Sequence, residues 1–158
     1  MKNFKLGIVF IGLIILTNPF YVSCKKENTN LVKVKFNFNH TLTWNLQKGD
    51  FENDNRYKEV KANYQLLKDK IILSVLDTTS LNFNTCLKTK SETRKGDLSI
   101  ILINSIEKIQ FSKIFKGSQY DNFIKCRYPK GLFDRIESER EFFVKKLQQK
   151  NNEYFLTK

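Results

Sequence analysis

Histidine is nearly missing from this chain of 158 residues: His40 is the only one. A Ser–His or Cys–His mechanism would have to use it, yet it lies between two apolar runs, where a turn is expected. No nucleophile-elbow sequence occurs, and no Walker A loop, GxGxxG fingerprint or EF-hand spacing. The three cysteines, Cys24, Cys86 and Cys126, form no CxxC pair, which removes the usual structural zinc sites. Arginine is scarce too, five against 23 lysines. Because Arg supplies the bidentate contacts to phosphate and guanine, its scarcity argues against nucleic acid as the partner. No cofactor, no metal and no catalytic set is expected.

What is present suits a folded domain. Hydrophobic residues make up 41% and charged residues 28% of the chain, with Phe, Ile and Leu abundant enough to fill a core. The formal net charge is +12. A field of that sign favours anionic partners, such as phosphorylated lipid headgroups or an acidic polymer.

Lys2 and Lys5 form a basic N-terminal region, and Leu6 through Leu16 an apolar run of 11 residues, broken by Thr17-Asn18-Pro19. The run is short of the ~20 apolar residues that span a bilayer, and the order basic–apolar–polar is that of a signal peptide. Tyr21-Val22-Ser23-Cys24 then resembles the lipobox of bacterial lipoproteins, with Tyr21 standing where an aliphatic residue is usual. That resemblance implies cleavage before Cys24 and acylation of its thiol and amine. Two or more acyl chains give stable anchoring, at about 0.8 kcal/mol per buried methylene. It also implies export to the cell envelope, on the periplasmic or surface face of a membrane such as the outer membrane. On this division residues 1–23 are the signal peptide, 24–30 the lipidated cysteine with a polar tether, and 31–158 a single globular domain. Removal of two lysines and no acid leaves the mature chain at +10. Acylation of Cys24 leaves Cys86 and Cys126 as a pair that an oxidising compartment can join.

Along the body, Val32, Val34, Phe36 and Phe38 alternate with Lys33, Lys35 and Asn37, the period of a half-buried strand. Leu42, Trp44 and Leu46 alternate likewise, so a hairpin across Asn39-His40-Thr41 is expected, followed by a polar break from Lys48 to Asn55. Tyr57, Val60, Tyr64, Leu67, Ile71 and Val75 recur at helical spacing, with an interruption expected at Lys68-Asp69-Lys70. Thr78 to Arg94 reads as irregular. Asp97 suits a helix N-cap ahead of Leu98, Ile101, Leu102 and Ile106, and the added Ile100 and Ile103 make this the core helix, with a strand at 98–103 as the alternative. Leu132, Phe133, Ile136, Phe143 and Leu147 trace a last helix to about Gln149, with mixed charges on its other face. The fold class is therefore α+β, helix-dominated, with an N-terminal β-hairpin. The stretch from Lys95 to Pro129 and the last helix also resembles small secreted bacterial proteins, a likeness that implies export and no particular activity.

Three functions are compatible with these residues. A binding module would contact an envelope protein or an anionic polymer through Phe111, Phe115, Tyr120, Phe123 and Arg127, since aromatics and Arg are common interface anchors; the same aromatics could equally be core. An inhibitor or immunity-type protein would need only a complementary surface. A hydrolase would have to draw on carboxylates such as Asp50, Glu52 and Asp54, which cluster in the polar break where solvation is the ordinary reading.

Overall fold

The computed structural model describes residues 30–83, 92–117, 120, 129, 131–149 and, for the backbone, 156–157. Residues 1–29, Cys24 among them, and also Cys86 and Cys126 lie outside the described residues. A helix-rich α+β domain follows from the hydrophobic patterning. Strands β1 (Leu31–Lys35), β2 (Thr41–Asn45) and β3 (Asp50–Phe51) form an antiparallel sheet in sequence order. Helices α1 (Asn55–Ala62) and α2 (Tyr64–Leu73) come next, the second ending in a 3-10 turn at Ser74–Leu76. Helix α3 (Lys95–Ile106), the short strand β4 (Lys108–Ile109), α4 (Phe111–Phe115), α5 (Leu132–Ser138) and α6 (Arg140–Gln148) complete the body. A last pair of residues, β5 (Leu156–Thr157), pairs antiparallel with β4.

The hairpin forms for the reason its period indicates. Leu31 faces Asn45 and Lys35 faces Thr41, which puts Val34, Leu42 and Trp44 on the buried side while Lys33 and Lys35 stay in water. The first strand ends earlier than its alternation suggests. Phe36 and Phe38 remain buried, but they belong to a turn closed by the Phe36 N–H to the His40 carbonyl at 2.8 Å, with Asn39 left-handed at φ 64°. The polar break expected after Leu46 contains a third strand. Asn45 Oδ1 accepts the N–H groups of Gln47 and Lys48, each at 2.9 Å, and Gly49 takes φ 61° to complete a tight turn into β3. Phe51 then packs edge-on against Trp44, ring centroids 5.1 Å apart.

Asp54 is not an idle loop carboxylate. It is the N-cap of α1, accepting the Tyr57 N–H at 2.9 Å, and its other oxygen takes the Thr43 hydroxyl at 2.9 Å. One side chain thus starts the helix and fastens it to β2. The long helical period is interrupted at Asn63 rather than at Lys68-Asp69-Lys70; the Asn63 amide bonds back to the Glu59 carbonyl at 3.0 Å. Residues 98–103 are helical, and every residue of α3 from Gly96 to Ile103 is buried, as expected of a helix apolar on all sides. Ser74 and Ser99 hydrogen-bond at 2.8 Å inside this packing, joining the 3-10 turn to α3. The last helical stretch is two helices, broken at Glu139, and Leu132, Phe133, Ile136, Phe143 and Leu147 all point inward. Among the described residues the core draws its buried members from Val34 to Leu147, all of which lie after Cys24.

Candidate functional site

An open cleft of about 600 Å³ lies where the 3-10 turn, the start of α3 and the α5–α6 junction meet, lined by Leu76, Thr78, Arg94 and the run from Glu137 to Phe142. Its geometry depends on how α3 begins. Asp97 occupies the third helical position rather than the N-cap; its Oδ2 reaches back to the Arg94 N–H at 3.0 Å. The same carboxylate, fully buried, holds the guanidinium of Arg140 through Oδ1 at 2.8 Å. Arg140 Nη1 donates to the Val75 carbonyl, also at 2.8 Å. One side chain therefore ties α6 to α3 and to the end of the 3-10 turn.

Two charges taken out of water are tolerated only when geometry and additional hydrogen bonds repay their desolvation. Here the bonds are in place, and Gly96 makes room for them. A Cβ at position 96 would stand inside contact distance of the Val75 carbonyl oxygen, and 2.5 Å from Arg140 Nη1. Close approach, not unusual backbone torsion, is the reason for glycine at this point. The Gly96 N–H completes the junction by donating to the Asp77 carbonyl at 2.9 Å.

The cleft walls carry mixed charge. Arg94 pairs with Glu137 across the cleft, and Arg135 with Glu139 along the helix. Leu76 and Phe142 form the lip, 40% and 42% exposed. Beside it, burial pushes the Asp77 carboxyl upward, but the Thr79 hydroxyl and N–H together with Lys95 outweigh this and hold it below its ordinary value. A buried polar cluster lies away from the cleft. Lys68 pairs with Glu107 at 2.8 Å, and the Tyr64 hydroxyl donates to the same carboxylate at 3.2 Å. Burial first, then the Glu107 charge and the hydrogen bond to it, raise the Tyr64 phenol well above its ordinary value, so it remains a neutral donor.

The residues singled out from sequence are distributed differently. Phe111 is fully buried and stacks parallel to Phe143 at 6.0 Å, which makes it core and corrects its assignment as a surface anchor. Phe115 is partly buried, stacked on the same ring at 5.6 Å, and Tyr120 meets Phe115 edge-on. Phe123 and Arg127 lie outside the described residues. Asp50, Glu52 and Asp54 do not converge as an acid–base pair. Asp54 caps α1, and Glu52 accepts from Asn45 and Lys48, which draw its carboxyl below the ordinary value. His40 Nδ1 donates to the Phe38 carbonyl at 2.9 Å, at the edge of a smaller hollow with Arg56 and Glu59.

Among the described residues, no group of three or more His, Cys, Asp or Glu side chains could hold a metal ion, and no helix is long and apolar enough to cross a membrane. No family model, curated protein or solved structure matches the chain. No single segment of the sequence announces the cleft or its buried ion pair, although one signal for them is present. Arg140 follows Ile136 by four residues and precedes Phe143, Val144 and Leu147 by three, four and seven. A guanidinium on an apolar stripe needs a buried acceptor, and Asp97 is the acid in the first turn of the core helix.

Proposed function

We propose that this chain is a lipid-anchored protein of the bacterial cell envelope whose folded domain is a non-catalytic binding module. The anchor is Cys24, on the strength of the basic–apolar–polar leader and the lipobox-like Tyr21-Val22-Ser23-Cys24. The recognition surface is the cleft, and one observation supports this above the rest. Arg140 lines it and is held from behind by the buried Asp97 carboxylate and the Val75 carbonyl, while two large hydrophobic side chains stand exposed at its lip. Exposed apolar side chains bordered by polar and charged groups suit an interface with an apolar centre and a polar rim.

Among the described residues, three side chains on which chemistry could draw are engaged in structural bonds: His40 with a backbone carbonyl, Asp54 as a helix cap, Glu107 with Lys68 and Tyr64. That supports binding over hydrolysis. The mixed-sign cleft wall, with Arg94 opposite Glu137, gives no support to an acidic inhibitory face directed at a basic toxin. The partner is expected to be another envelope protein presenting an apolar side chain to Leu76 and Phe142.

A photo-crosslinking amino acid placed at Phe142 in the living envelope tests this. A discrete protein adduct is expected from position 142 and not from Lys58, which is exposed on α1 away from the cleft. Identical adduct patterns from both positions, or none from 142, would contradict the assignment of the cleft.

A further inference from the structure

Five large hydrophobic side chains are exposed among the described residues, and four of them belong to one side of the fold. These are Leu66 and Leu73 on α2, Leu76 in the 3-10 turn and Phe142 on α6. Leu66 and Leu73 are seven residues apart, so they share the outward ridge of α2, opposite the buried Tyr64, Ile71 and Ile72. Leu66 is 83% exposed. Leu76 continues the ridge to the cleft lip, and α6 packs beside it. Cations flank the apolar line. Lys70 lies between the two leucines, Lys145 is exposed near Phe142, and the Lys146 ammonium sits 5.4 Å from the Phe142 ring centroid. Asp69 and Glu141 share those helix surfaces, while the acids nearest the cleft lip face cations of their own, Glu137 with Arg94, Glu139 with Arg135 and Asp77 with Lys95, on a mature chain whose net charge is +10.

We propose that the Leu66–Leu73 ridge seats the domain on the anionic surface of the bilayer that holds its anchor. The inference rests on the anchored reading above and adds an orientation to it. An apolar ridge bordered by lysines matches a helix lying in the membrane interface: leucines enter the boundary with the acyl chains while lysine stems lie along it and their ammonium groups reach the phosphates. The tether makes a weak contact sufficient. Residues 25–30 span at most about 20 Å when extended, so the domain is never far from the bilayer and its effective concentration there is high. Seated this way, the cleft lip at Leu76 and Phe142 lies at headgroup level, where the loops of other membrane-held proteins are presented.

The test uses the chain from Lys25 to Lys158, which contains every core residue found buried among the described residues and lacks Cys24, so its result does not depend on acylation. Sedimentation with vesicles of phosphatidylcholine, with and without a quarter phosphatidylglycerol, is expected to show about tenfold greater partitioning onto the anionic vesicles, reduced by high salt. Leu66→Asp with Leu73→Asp should remove that preference, and Lys70→Glu with Lys145→Glu should weaken it severalfold. All four positions are exposed, so the circular dichroism melt of each variant should match the parent within a few degrees. Equal partitioning onto both vesicle types, binding to neither, or variants that bind like the parent would overturn the proposal. So would self-association of the parent that is lost in Leu66→Asp with Leu73→Asp, which would assign the ridge to a second copy of the chain. None of these outcomes alters whether Cys24 is acylated, which the mass of the full-length product decides separately.

Discussion

Replacing Arg140 with methionine is expected to destabilise the fold by about 3–5 kcal/mol, the usual cost of removing one partner from a buried ion pair. The reason is local. Asp97 is fully buried, and without the guanidinium its carboxylate keeps the Arg94 N–H but loses the opposite charge. The Val75 carbonyl loses its side-chain donor in the same step. For a domain of this size, the loss corresponds to a melting temperature lowered by roughly 10–20 °C. A double-mutant cycle separates the pair from its surroundings. Asp97→Leu with Arg140→Met should be clearly more stable than the sum of the single changes allows, because no uncompensated charge is then left inside. Additive effects would mean that the two side chains act independently, against the 2.8 Å contact between them.

Gly96→Ala is expected to cost about 3 kcal/mol, near the upper end for overpacking a tight junction. The new methyl group would meet the carbonyl oxygens of Val75 and Asp77 as well as Arg140 Nη1. Two of the three obstacles are backbone, so no rotamer change can clear them. Gly131→Ala provides the contrast. A Cβ there meets nothing within 4 Å, but φ is +79°, so only left-handed strain opposes it, about 1–2 kcal/mol. Chemical denaturation of the two variants side by side measures the difference. A Gly96→Ala protein as stable as its parent would show that the approach of α3 to the 3-10 turn is looser than described.

How much of this was legible in the sequence depends on whether a residue's role is local. The hairpin and the core helix follow from hydrophobic period alone, because Val34 and Trp44, or Leu98 and Leu102, report their own burial. The third strand did not, since Phe51 is the only large apolar residue between Lys48 and Asn55, too few to show a period. Asp54 looked like one of three loop acids because a cap is defined by the helix it starts, and that start was placed two residues late, at Tyr57. Asp97 reads as a helix-start residue, but at the third helical position rather than the N-cap, and its partner lies 43 residues away. Arg140 was assigned to neither face of the last helix. Sequence patterns describe one element at a time, whereas the ion pair exists only where α3, α6 and the 3-10 turn meet. Phe111 illustrates the converse: an aromatic in a basic stretch suggests an interface anchor, and only its stacking on Phe143 reveals it as core.

Which partners the cleft and the ridge can meet depends on whether Cys24 is acylated. Intact mass of the mature protein, expressed with its own leader in a bacterial host and compared with Cys24→Ala, tests it most directly. The expected product is a chain beginning at Cys24 and carrying a diacylglyceryl group, usually with a further amide-linked acyl chain, and the variant should lose that modification completely. A mature chain with an unmodified Cys24 would contradict the anchor, and would leave a basic domain whose ridge and cleft must be explained without a membrane at hand.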